Sequence, residues 1–207
     1  MIERIREICG TGPVIPVIEI DDAANAKPLA DALLRGGIQV IEITLRTTDA
    51  LKAIEVIANE TNMCVGAGTI LTLRDLTNAR NAGAAFGVSP GSTPALLDAC
   101  VETEMPFLPG AVTPSEVMGL LDRGIRVQKF FPAQAAGGIA MLKSLGGPFK
   151  EAVFCPTGGV TPQNAADYLA LPNVICVGGS WVASRKLIAE NAWEEIEKNA
   201  REVSALA

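Results

Sequence analysis

The chain contains no histidine. Acid–base chemistry must therefore fall to Glu, Asp, Lys, Cys or the single tyrosine, Tyr168. Catalytic triads, Cys-His dyads, His-ligated zinc and imidazole proton shuttles are excluded. Against that background, charges placed inside strand-like segments stand out. In Val40-Ile41-Glu42-Ile43-Thr44-Leu45-Arg46, a period of two puts Glu42, Thr44 and Arg46 on one face and Ile41, Ile43 and Leu45 on the other. An acid and a base on the C-terminal half of a strand fit a site at the mouth of a barrel. A structural ion pair between Glu42 and Arg46 is the alternative.

Lys129 lies in Val127-Gln128-Lys129-Phe130-Phe131-Pro132, where alternation gives it the face of Val127 and Phe131. An ammonium among apolar groups is costly, and a lowered pKa is the expected response. A neutral amine is what attack on a ketone requires. The competing reading is a lysine that snorkels from a strand end into solvent. Two glycine turns, Cys155-Pro156-Thr157-Gly158-Gly159-Val160 and Val177-Gly178-Gly179-Ser180-Trp181, follow the last two strand-like runs. Turns at that place hold anions through backbone N–H groups, so they form a candidate phosphate cradle.

Other motifs fail on chemistry. Gly66-Ala67-Gly68-Thr69 opens like a dinucleotide fingerprint, but Leu71 stands at the third glycine position. Gly87-Val88-Ser89-Pro90-Gly91 matches a nucleophile elbow by letter. The serine has no histidine base, and Pro90 removes a backbone N–H that an oxyanion hole would use. Cys9, Cys64, Cys100, Cys155 and Cys176 are odd in number, widely spaced and free of any CxxC. That pattern fits reduced thiols rather than a disulfide frame or a metal site.

These residues need elements to position them. Strand-like runs begin near Val14, Ile38, Cys64, Phe86, Phe107, Ile125, Ala152 and Val174, a spacing of about 23 residues that leaves room for a helix between parallel strands. Helical patterns cover Ala23–Leu34, Ala50–Ala58, Leu73–Ala82, Pro94–Val101 and Ser115–Leu121. Thr72, Thr93, Thr113 with Glu116, and Thr161 serve as N-caps, and Gly36-Gly37, Gly83 and Gly124 as stops. Eight such units without a linker predict one domain over residues 1–207, an α/β fold closed as a (β/α)8 TIM barrel, with Met1–Gly10 as an extra N-terminal helix. A doubly wound open sheet is the alternative.

Of the 207 residues 49% are hydrophobic, enough for a sizeable core. A net charge of -6 argues against nucleic acid as a partner. The charged N-terminus is not a signal peptide. The uncharged run Tyr168–Ser184 is broken by Pro172, Gly178 and Gly179, so no membrane span is expected. The sequence reads as a cytoplasmic protein.

Taken together, Ile41-Glu42-Ile43-Thr44-Leu45-Arg46-Thr47, Gly66-Ala67-Gly68-Thr69, Ser89-Pro90-Gly91, Lys129-Phe130-Phe131-Pro132-Ala133, Pro156-Thr157-Gly158-Gly159 and Gly178-Gly179-Ser180-Trp181 resemble the 2-keto-3-deoxy-6-phosphogluconate (KDPG) aldolases. That family overlaps with the 4-hydroxy-2-oxoglutarate (KHG) aldolases. The resemblance implies a metal-independent, cofactor-free class I aldolase of the Entner-Doudoroff pathway. Such an enzyme works as a homotrimer and cleaves a keto acid or sugar-acid phosphate to pyruvate and an aldehyde. It makes Lys129 the Schiff-base lysine and Glu42 the general acid–base. Arg46, Thr69, Pro90, Phe131 and Thr157 would hold the pyruvyl part. Gly158, Gly159, Gly179 and Ser180 would take the phosphate. Gln134 departs from the pattern, which has Glu after Phe-Phe-Pro-Ala. A phosphate-binding barrel isomerase or synthase, and a non-catalytic sugar-phosphate-binding barrel, are the competing classes.

Overall fold

A computed structural model describes residues 2–206. The helix α1, Ile2–Cys9, precedes β1, Val14–Ile18, and strands and helices then alternate. They run α2 Ala26–Arg35, β2 Val40–Thr44, α3 Ala50–Glu60, β3 Cys64–Gly68, α4 Leu73–Asn81, β4 Phe86–Val88 and α5 Pro94–Glu102. The order continues β5 Phe107–Leu108, β6 Gly110–Ala111, α6 Pro114–Leu121, β7 Val127–Phe130, α7 Gly138–Leu145 and β8 Val153–Pro156. It ends α8 Ala165–Leu169, β9 Val177–Gly179, α9 Arg185–Ala189 and α10 Trp193–Ser204. No described helix is long and apolar enough to cross a membrane.

The fold is α/β with a curled six-stranded parallel sheet, ordered β5-β4-β3-β2-β1-β9, and a three-stranded sheet β6-β7-β8. The sequence predicts one strand beginning near Phe107, where the structure has β5 and β6. The structure divides it at Pro109, which has no N–H to donate to a ladder. The Pro109 carbonyl still accepts from the Lys129 N–H at 2.8 Å. On the other side, parallel bridges Phe154–Val174 and Thr157–Gly178 join β8 to β9 and the segment before it.

The alternation read from the sequence sorts the side chains into two layers. Ile18, Ile41, Ile43, Val65, Ala67, Phe130 and Phe154 face the helices within one large core. Ile15, Val40, Phe86, Val88, Val127, Cys155 and Cys176 face the concave side and pack with Ile5, Ile8 and Cys9 of α1. The N-terminal helix thus plugs the end of the sheet where the strands begin. Its apolar residues recur at helical spacing, so the plug follows from the pattern Ile5-Ile8-Cys9. Chemistry is left to the other end of the strands.

Local side-chain caps set several helix starts. Thr72 with Asp75 and Thr113 with Glu116 form reciprocal capping boxes, and Thr93 caps α5. Thr161 is a correction. Its N–H instead donates to Asn164 Oδ1 at 2.8 Å, and α8 starts after Asn164. Gly37, Gly83 and Gly124 carry φ of 93°, 89° and 76°, as stops that reverse the chain require.

Gly66 shows how tightly the concave layer is filled, because a Cβ there would overlap the Phe86 ring. We expect Gly66→Ala to destabilise the fold by about 1–3 kcal/mol through overpacking. In a thermal melt that lowers Tm by roughly 2–4 °C per kcal/mol. A variant melting with the native chain would show that the Phe86 ring moves freely.

Candidate active site

Strand β2 carries Glu42 inward, and β7 carries Lys129 inward. Their chain separation is large, yet Lys129 Nζ lies 3.2 Å from Glu42 Oε1 and 3.3 Å from Oε2. Both side chains are almost fully buried, at 6% and 5% exposure. The surroundings expected for Lys129 were apolar. The structure adds a carboxylate partner, and the Phe131 ring lies with its centroid 5.5 Å from Nζ. Glu42 therefore pairs with Lys129, and the alternative Glu42–Arg46 pair is not formed.

Space for the Glu42 carboxylate is made by a glycine. A Cβ at Gly68 would land on Glu42 Oε1. The Gly66-Ala67-Gly68 motif thus has a packing cause: one glycine clears Phe86 and the other clears Glu42. Thr69 follows at φ 61°, a left-handed conformation unusual for a β-branched residue. Its hydroxyl accepts from Arg46 Nε at 3.2 Å. Arg46 itself extends beyond the end of β2, half exposed, with Nη1 2.9 Å from Glu19 Oε1.

A cavity of about 340 Å³ opens above this pair. Lys129, Thr44, Arg46, Phe131, Thr157, Gly158, Gly159 and Ser180 line it, joined by Val17, Glu19, Ser184 and Arg185. Thr69 and Pro90 do not line the cavity: Thr69 touches it through Arg46, and the Pro90 carbonyl lies against Gly110. Gly179 is also absent from the lining. A Cβ there would overlap the Trp181 ring, so this glycine is required by Trp181 packing. Its neighbour Gly178 does line the cavity and leaves room for Thr157 Oγ1.

The glycine turns have the features of an anion cradle. Gly158 and Gly159 have φ of 96° and 79°. Among the described residues, no protein group accepts a hydrogen bond from the N–H of Gly158, Gly159 or Ser180. The turn is held from beneath by Gln134, whose N–H donates to Gly158 O at 3.0 Å. Tyr168 in turn donates to Gln134 Oε1 at 3.0 Å. Burial pushes the Tyr168 hydroxyl above its usual range. The single tyrosine is a buttress for the cradle and lies outside the cavity.

Three thiols, Cys9, Cys155 and Cys176, lie in the concave layer below the pair. Cys155 is in register with Lys129. A hydrogen bond from Cys176, helped by the Lys129 charge, holds the Cys155 thiol below its usual range. Cys176, as donor, is pushed well above it. Cys100 is raised to about 12 by burial alone. Ser89 is buried with its hydroxyl unpartnered among the described residues, in agreement with the rejected elbow. Glu19, Ser184 and Arg185 were missed by the sequence reading. The signal for Glu19 was available, since it continues the inward register Ile15-Val17 of β1 past the end of the strand.

Comparison with known proteins places the chain among aldolases. The family model described as "Aldolase: KDPG and KHG aldolase" matches residues 5–199. The KHG/KDPG aldolase of Escherichia coli K12 is 46% identical over 196 residues, covering 94% of this chain and 92% of that protein. The 2-dehydro-3-deoxy-phosphogluconate aldolase of Pseudomonas aeruginosa is 45% identical over 200 residues, covering 96% and 91%. Among solved structures, the KDPG aldolase of Legionella pneumophila, with pyruvate captured as a covalent carbinolamine, superposes with TM-score 0.95. It has 45% identity and covers 97% of this chain and 98% of that one. The Zymomonas mobilis enzyme with 3-phosphoglycerate gives 0.93 at 42% identity, covering 100% and 98%. The chain belongs to the KDPG and KHG aldolase family and is an aldehyde-lyase of that family.

Proposed function

We propose that the aldolase reaction of this chain runs through a Schiff base on Lys129, with Glu42 as its proton carrier. The buried Lys129–Glu42 pair at the floor of the cavity carries this reading. Lys129 hands a proton to Glu42 and attacks the C2 ketone, giving a carbinolamine. Glu42 returns protons as water leaves and the iminium forms. Loss of the C4 hydroxyl proton breaks the C3–C4 bond. The electron pair enters the iminium, the aldehyde departs, and an enamine remains. Protonation of that enamine and hydrolysis free pyruvate and the lysine. A bidentate fork from Arg46 holds the C1 carboxylate, steadied by Thr69. Phe131, Thr157 and Pro90 shape the pyruvyl end, with Pro90 acting through the backbone at Gly110.

The substrate is a six-carbon keto acid phosphorylated at its far end, and 4-hydroxy-2-oxoglutarate is a second substrate. The free N–H groups of Gly158, Gly159 and Ser180, with Gly179 supplying backbone between them, take the phosphate. The two sheets close as one eight-stranded barrel in a single domain, which the bridges at β8–β9 and the Pro109 carbonyl support. The protein acts in the cytoplasm as a homotrimer. The exposed Leu71 and Leu73 beside the end of β3 offer apolar surface for subunit packing; sedimentation at the mass of one chain would overturn the trimer.

Borohydride with pyruvate should add one reduced pyruvyl unit, mapped to Lys129, and Lys129→Ala should lose both adduct and activity. Label on another lysine overturns the mechanism. Glu42→Gln keeps the shape and should cut kcat by roughly 10²–10⁴; a few-fold loss reassigns the proton carrier. Gly68→Ala should displace the Glu42 carboxylate and reduce kcat by about 10²-fold, with circular dichroism near native. Ser180→Glu places a carboxylate at the cradle. It should raise KM for the phosphorylated substrate by about tenfold and for the unphosphorylated analogue far less. Equal effects on both would reduce the glycine turns to chain geometry.

A further inference from the structure

The inward register of β1 ends in a carboxylate at the lip of the cavity. Glu19 Oε1 lies 2.9 Å from Arg46 Nη1, and Oε2 lies 3.6 Å from Arg185 Nη1. Arg185 is also forked onto Asp21, with Nε–Oδ2 and Nη2–Oδ1 both 2.5 Å. Among the described residues, Glu19 is the one carboxylate in the cavity lining, against Arg46, Lys129 and Arg185. Glu42 is spent on Lys129 beneath the floor, and Asp21 on Arg185 at the outer rim.

A strut for the two arginines is a weak explanation for Glu19. Their side chains are 47% and 60% exposed, and ion pairs this open contribute little to stability. The electrostatic effect on a ligand is larger. The cavity must accept an anionic keto acid, and a fixed negative charge between its two solvent-facing cations lowers the positive potential where that anion enters. The effect scales with ligand charge. A substrate with a distal phosphate carries up to two more negative charges than its hydroxyl analogue.

Building on the aldolase reading above, we propose that Glu19 is a specificity-determining residue of this chain. It neutralises part of the Arg46–Arg185 field and so narrows the advantage of phosphorylated over unphosphorylated keto acids. Arg185 acts in the opposite sense, as the cation that draws the distal anion to the Ser180–Ser184 side of the cavity.

Glu19→Gln tests this, since the amide oxygen still accepts from Arg46 while the charge is gone. The measured quantity is the ratio of kcat/KM for 2-keto-3-deoxy-6-phosphogluconate to that for 2-keto-3-deoxygluconate. Glu19→Gln should raise the ratio by about tenfold, chiefly through KM, since nearly two charges at an open mouth are involved. The gain should shrink in about 0.5 M salt, where the screening length is a few ångströms. Arg185→Gln should lower the ratio, and Glu19→Thr should repeat the rise should the amide disturb the loop. An unchanged ratio in both Glu19 variants, or an equal loss on both substrates, overturns the proposal and leaves Glu19 a strut. Trapping of pyruvate by borohydride in the native chain separates the two ideas. A trapped adduct with an unmoved ratio sinks only the role of Glu19, whereas no adduct sinks the Schiff base itself.

Discussion

The buried ion pair between Lys129 and Glu42 is the constraint on which the rest of this structure depends. Two opposite charges taken out of water repay their desolvation only at close range and in good geometry, and either one alone would be a heavy penalty. Holding them 3.2 Å apart requires β2 and β7, which belong to different sheets, to face each other across one concave layer. It requires Gly68 to give up a side chain so that the carboxylate has room. It also requires the opposite end of the layer to be sealed, which Ile5, Ile8 and Cys9 of α1 do against Ile15, Val40 and Val127. The same burial that makes the pair expensive keeps bulk water from the amine and makes proton exchange between the two groups direct.

Around that pair the small residues have separate physical duties. Gly66 clears the Phe86 ring, Gly178 clears Thr157, and Gly179 clears Trp181. Among the described glycines, only Gly158 and Gly159 combine left-handed backbone with N–H groups that no protein acceptor takes. The anion cradle is therefore narrower than the two Gly-Gly dipeptides imply, and its stiffness comes from Gln134 and the buried Tyr168 hydroxyl. Thr69, held at positive φ, stores about 1–3 kcal/mol of backbone strain in order to aim a hydroxyl at Arg46. Strain of that kind survives because the ladder on either side fixes it, with Leu45 N–H on Gly68 O and Ile70 N–H on Val88 O.

Electrostatics work on two scales. The whole chain carries a net charge of -6, which sets its bulk field, whereas the cavity gathers three cations within one lining. A locally positive cleft in an acidic protein still concentrates anions, because low-dielectric walls confine the field. Glu19 lies at the boundary between those scales, where a single carboxylate changes what the cleft attracts without touching the reacting carbon.

Much of this was legible in the sequence, and the reason is local. A period of two assigned Glu42, Thr44 and Lys129 to the inward face, a period near 23 residues gave the strand and helix order, and Thr72, Thr93 and Thr113 marked helix starts through bonds that span only three residues. The anchoring pair itself lay beyond local rules, since Glu42 and Lys129 are 87 residues apart and nothing in either strand names its partner. The break at Pro109, the Asn164 start of α8, the packing role of Gly179 and the Arg46–Glu19–Arg185 array were likewise decided in three dimensions. Each depends on which backbone or side chain arrives from a distant strand, and alternation fixes the face a residue takes but not the group it meets there.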